Sequence, residues 1–95
     1  MKALKILHLE DDALDADLVQ RAVAQLHSNN EWHTVSTGSE FLSALARHRY
    51  DAIFSDHFIA GYEGLQAMRV ARQKQPHASF IFVSGTADEK RARQY

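Results

Sequence analysis

Asp51-Ala52-Ile53-Phe54-Ser55-Asp56 is a short apolar run that closes on a carboxylate. A run of this kind is the pattern of a strand buried on both faces, as in a parallel sheet under helices. Working outward, the pattern recurs. Lys5-Ile6-Leu7-His8-Leu9 ends in Glu10-Asp11-Asp12, and Ser79-Phe80-Ile81-Phe82-Val83, the most strand-like run of the chain, is followed by Ser84-Gly85. Glu31 to Ser36 mixes polar with apolar positions and carries Trp, Thr and Val, as an edge strand would.

Helical patterns fill the intervals. Leu14, Leu18, Ala22 and Leu26 recur every four residues with Val19 and Val23 beside them. They predict a helix from Ala13 to about His27, its stripe facing the core and its start capped by Asp11 or Asp12. Ser28-Asn29-Asn30 is a turn cluster. Thr37-Gly38-Ser39-Glu40 reads as a capping box ahead of Phe41, Leu42, Leu45 and Ala46, in a helix ending near His48. After a loop from His57 to Glu63, a third helix starts near Gly64 with Leu65, Met68 and Ala71 inward, and Pro76 ends it. The charged tail from Thr86 to Tyr95 is expected to be helical, with Asp88 to Tyr95 fraying for want of apolar surface. Strands alternating with helices imply right-handed crossovers and a parallel sheet covered on both faces.

A chain of 95 residues with 45% hydrophobic content can build one core, so a single domain is expected over residues 1–95. Its 11 basic and 12 acidic residues are interspersed, which argues against direct nucleic-acid or membrane-surface binding. Without cysteine there is no disulfide framework, thiolate metal site or cysteine nucleophile, in keeping with a cytoplasmic location. Lys2 and Lys5 precede an apolar run too quickly interrupted for a signal peptide, and no segment approaches the roughly 20 apolar residues that cross a bilayer. There is no glycine-rich phosphate loop and no G-x-S-x-G elbow, which sets aside NTPases, dinucleotide enzymes and serine hydrolases of that type.

In an open parallel sheet, function collects beyond the carboxyl ends of the strands, near the point where strand order reverses. Three strands deliver Glu10-Asp11-Asp12, Asp56 and Ser84 to that edge. Carboxylates held together repel one another unless some are protonated or a cation sits among them. Oxygen donors with room for water and substrate suit Mg²⁺ better than Zn²⁺. A carboxylate beside such an ion is a competent nucleophile toward phosphorus, so acyl phosphate formation on an Asp is plausible chemistry. Each element also has a plain reading: the triplet as helix cap and solvated charge, Asp56 as a turn former, Ser84 as a strand-ending hydroxyl. Joint placement favours function. His8, His27, His33, His48, His57 and His77 show no pair at ligand spacing on one face, which points to core or surface roles. Trp32, Phe54, Phe80 and Phe82 are read as core.

Leu7-His8-Leu9-Glu10-Asp11-Asp12 resembles the first-strand acidic signature of response-regulator receiver domains. Asp51 to Gly64 resembles their phosphoacceptor strand and loop, and Phe82-Val83-Ser84-Gly85 their switch strand. The resemblance spans the chain and implies a flavodoxin-like, doubly wound parallel sheet of order 2-1-3-4. It implies Asp56 as phosphoacceptor, Asp11 as a direct Mg²⁺ ligand, Glu10 as a ligand through water, Asp56 and the backbone carbonyl of Phe58 as further ligands, and Ser84 as the switch hydroxyl. The implied donor is a histidine kinase or phosphotransfer protein, and the receiver is a regulatory domain that catalyses only its own modification.

The sequence departs from the family pattern in two places. Ala60 stands where the loop usually has proline. Family members continue into a fifth strand, with its lysine and aromatic switch residue, and a last helix, whereas this sequence ends at Tyr95; neither Lys74 nor Lys90 matches that lysine. The fourth strand is then expected to be an exposed apolar edge that promotes self-association. The rival reading is a degenerate receiver that only docks partners. A Mg²⁺-dependent phosphatase of related topology would need a second Asp where Phe58 stands.

Overall fold

The order of elements follows the alternation of the sequence. The computed structural model describes residues 3–56, 58–59, 62–84 and 91–94. They form β1 (Leu4–Leu9), α1 (Ala13–Leu26), β2 (Asn30–Val35), α2 (Gly38–Arg47), β3 (Ala52–Asp56), β4 (Phe58–Ile59), β5 (Tyr62–Glu63), α3 (Gly64–Lys74), β6 (Ser79–Ser84) and β7 (Arg91–Gln94). The main sheet runs β2-β1-β3-β6-β7. Its first four strands pair in parallel, in the expected 2-1-3-4 order of a flavodoxin-like sheet. Among the described residues no helix is long and apolar enough to cross a membrane.

Burial on both faces explains the unbroken apolar strands. Leu7 and Leu9 of β1 join Phe41, Leu45, Ile53, Ala71, Phe80 and Phe82 in the core beneath α2 and α3. Ile6, Phe54 and Val83 pack with Val19 of α1 on the opposite face. His8 is fully buried on that side, its ring edge-on to Trp32 at 5.5 Å and to Phe54 at 6.2 Å. The strand aromatics are therefore core residues, with Trp32 half-buried on the edge strand.

The inward faces of two helices differ from expectation. In α1 the buried residues are Ala16 and Val19, with Val23 half-buried, while Leu14, Leu18, Ala22 and Leu26 are exposed. In α3, Ala71 is buried and Met68 half-buried against the core as expected, Ala67 joins them, and Leu65 is exposed. Small residues bring each helix close to the sheet, so close packing rather than side-chain size selects the inner face.

The tail also differs. Arg91–Gln94 is not helical but forms β7, antiparallel to β6, with Val83 opposite Ala92 and Phe82 opposite Arg93. A helix there would leave the backbone groups on that side of β6 without ladder partners; a strand satisfies them. The expected apolar strand-four edge is consequently covered, and self-association through it loses its basis. Residues 86–90 of the expected helix, and Tyr95, lie outside the described residues, as does Gly85. The segment after β3, read as a loop, contains the antiparallel pair β4–β5, with Phe58 opposite Glu63; His57, Ala60 and Gly61 lie outside the described residues.

The capping box at α2 forms as read. Thr37 Oγ1 accepts the Glu40 N–H at 3.1 Å. Glu40 Oε1 accepts the Ser36 N–H at 3.1 Å, the Ser36 hydroxyl at 3.0 Å and the Thr37 hydroxyl at 3.3 Å. These donors, the Ser36 N–H foremost, hold the Glu40 carboxyl below its ordinary value of 4.5. A depressed carboxylate adds stability above its unfolded pKa, and that stability is lost as pH falls through the folded value. Glu40→Gln therefore lowers the thermal midpoint at neutral pH, and the gap to wild type closes as pH drops below 4.5; paired melts across that range check this.

Candidate metal and phosphoacceptor site

Parallel register brings two strand ends to one place. Leu9 of β1 pairs with Ser55 of β3, so Glu10 and Asp56 are the next residues at the same edge. The Glu10 N–H donates to Val35 O at 2.9 Å, which extends pairing with β2 one residue past the strand and fixes where Glu10 begins. On the other side of β3, Asp56 pairs with Val83 of β6. Ser55, fully buried, donates its hydroxyl to the Asp56 carbonyl oxygen at 2.9 Å and anchors the turn out of the strand.

Glu10, Asp11 and Asp56 each place a carboxylate oxygen within 4.8 Å of the others. Glu10 is buried, Asp56 half-buried and Asp11 exposed. The acidic triplet thus divides its labour. Asp12 is the α1 cap, accepting the Asp15 N–H at 2.9 Å, and its own N–H donates to Glu10 Oε2 at 3.3 Å. The plain capping reading is right for Asp12, while Glu10 and Asp11 are left to the cluster.

Two unit charges at this spacing repel by about 1 kcal/mol in water and by several kcal/mol at the effective dielectric of a half-buried site. A divalent cation would offset that cost. The donor set is oxygen only, which suits a hard ion; ligand oxygens of an octahedral Mg²⁺ with bonds of about 2.1 Å lie about 3.0 to 4.2 Å apart, so a cluster spread over up to 4.8 Å suits an ion held partly through water. No histidine approaches this set among the described residues.

Phe58 opens β4 two residues past Asp56, so its backbone lies on the chain leaving the cluster. Ser84 is the last residue of β6, one position beyond Val83, the register partner of Asp56. Its side chain lies outside the described residues. The structure therefore brings together Glu10, Asp11 and Asp56, and puts the backbones of Phe58 and Ser84 at the same end of the sheet.

Residues 6–95 match the family described as the response regulator receiver domain. The chain belongs to that family. Solved receiver-domain folds agree. The phosphorylated cyanobacterial phytochrome response regulator RcpA is 22% identical with a TM-score of 0.77, over 90% of this chain and 67% of that one. Chemotaxis response regulator CheY4 of Vibrio cholerae is 19% identical with a TM-score of 0.74, over 85% and 68%. The receiver domain of a sensor histidine kinase from Pseudomonas aeruginosa, which has a magnesium ion coordinated in its active-site cleft, is 24% identical with a TM-score of 0.70, over 85% and 66%. This receiver chain thus spans about two-thirds of the length of these structures. No curated protein matches it.

If the three carboxylates repel, removing one charge stabilises the cation-free receiver. Asp56→Asn is expected to raise the thermal midpoint in a chelating buffer by several degrees, as a gain of about 1 kcal/mol does in a domain of this size. An unchanged or lower midpoint would show that the carboxylates do not oppose one another.

Proposed function

We propose that this receiver accepts a phosphoryl group on Asp56 in a two-component signalling pathway. The observation that carries the reading is the meeting of Glu10, Asp11 and Asp56 within 4.8 Å at the carboxyl ends of β1 and β3. The magnesium in the P. aeruginosa receiver's cleft and the phosphorylated state of RcpA support it by likeness of fold.

A carboxylate oxygen of Asp56 attacks phosphorus of a phosphohistidine on a histidine kinase or phosphotransfer protein. An oxygen–phosphorus bond forms, the nitrogen–phosphorus bond breaks, and the departing imidazole nitrogen keeps the electron pair and takes a proton from water. Asp11 would hold Mg²⁺ directly and Glu10 through water, with the Asp56 carboxylate and the Phe58 carbonyl as further ligands. The bound ion would offset charge on the transferring oxygens. The Ser55 hydroxyl, by holding the Asp56 carbonyl, positions the nucleophile. Ser84 supplies the hydroxyl that turns toward the new phosphoryl group and reports it to the β6 surface.

The domain is then a regulatory phosphoacceptor of the cytoplasm rather than an enzyme acting on other substrates, residues 1–95 acting as one unit. Its output is a changed affinity for protein partners.

The test is intact mass after incubation with a small phosphoryl donor and Mg²⁺. One phosphoryl group is expected on wild type and none on Asp56→Asn. Asp11→Asn should slow addition by about tenfold or more, because the metal's charge stabilisation is worth several kcal/mol. A folded wild-type chain whose mass does not change would mark a receiver that only docks partners.

A further inference from the structure

The amino-end of the sheet carries a second charged site. Lys5 at the start of β1, His33 of β2, Arg47 at the end of α2, and His48, Arg49 and Tyr50 of the segment leading into β3 line a depression of about 400 Å³. Lys5 and Glu10, just past the end of β1, lie five residues apart, so Lys5 is separated from the acidic cluster by about 16 Å of extended chain.

Charge decides what it can hold. Glu31 is the acid in the lining, against three fixed cations. Among the described residues no carboxylate forms an ion pair with Lys5, Arg47 or Arg49; the pair present is Arg21–Asp17 on α1. Asp51 stands outside the lining, its carboxylate accepting the Lys5 backbone N–H at 2.9 Å. Glu31 offsets one of these cations, and the carboxyl end of α2, whose dipole amounts to about half a charge, offsets part of another, which leaves the lining net positive. His33 and His48, with rings 6.3 Å apart, could otherwise suggest a metal site, but three cations around them oppose a metal ion and favour an anion.

The depression is also held in shape. Gln75, just past α3, accepts the Tyr50 N–H at 2.8 Å and donates to Leu45 O at 3.1 Å and to His48 O. One side chain thus ties the His48–Tyr50 segment to α2. The Tyr50 hydroxyl meets His33 Nδ1 at 2.9 Å, and burial pushes its pKa up, so it remains a neutral hydrogen-bonding group. Its ring lies 6.3 Å from those of His33 and His48, an aromatic wall beside the cations.

We infer that this depression binds a small phosphate monoester dianion, held by Arg47, Arg49 and Lys5 with its organic part against Tyr50 and His33. The guanidinium fork matches phosphate oxygens, the net positive lining favours an anion, and the volume falls within the range of small-molecule sites. The site is independent of Asp56 chemistry.

The experiment titrates the full chain with phenyl phosphate by calorimetry in a chelating buffer, so that no divalent ion recruits phosphate to the acidic cluster. Saturable one-to-one binding is expected, about tenfold or more weaker in Arg47→Gln/Arg49→Gln, whose altered side chains are solvent-exposed, and unchanged in Arg21→Gln. No saturable binding to wild type, equal affinity in the double variant, or an equal loss in Arg21→Gln would overturn the assignment.

Discussion

The parallel register that sets Leu9 beside Ser55 determines what the carboxyl edge of the sheet can do. The residue after each partner is acidic, so closing β1 against β3 forces Glu10 and Asp56 together, and Asp11 follows Glu10 into the same space. A shift of one residue would invert the faces of β1, carrying Leu7 and Leu9 out of the core beneath α2 and α3. The core therefore enforces the site. Hydrophobic burial of Leu7, Leu9 and Ile53 holds like charges in a proximity that they would not choose.

Much of this was legible in the sequence because two-sided burial leaves a plain mark. Strands β1, β3 and β6 read as apolar runs closing on acids or a hydroxyl, and the capping box of α2 was visible from Thr37 and Glu40 alone. What the sequence left ambiguous were choices that depend on packing distance. Spacing put Leu14, Leu18 and Leu26 in the inner stripe of α1 with Val19 and Val23, yet the sheet accepts Val19 together with Ala16 and leaves the leucines outside. A cap of Asp11 or Asp12 was a genuine alternative until the Asp15 N–H selected Asp12. Arg91–Gln94 looked helical from its charge, and the open side of β6 drew it into a strand.

The histidines show the same limit. Spacing along one element argued against a paired site, because it reads each helix and strand separately. His33 and His48 come from different elements, and only the fold sets their rings 6.3 Å apart beside Tyr50. The two ends of the sheet are consequently opposite in sign: carboxylates crowd beyond the carboxyl ends of β1 and β3, and cations gather where β1 begins. A net charge of −1 conceals that separation, because balanced totals say nothing about where the charges lie.

Repulsion among Glu10, Asp11 and Asp56 would be relieved by a cation at this edge. Calorimetric titration of the chain with Mg²⁺ measures that relief. One saturable site is expected, abolished or greatly weakened in Asp11→Asn; no saturable binding, or equal affinity in Asp11→Asn, would show that the three carboxylates do not draw an ion.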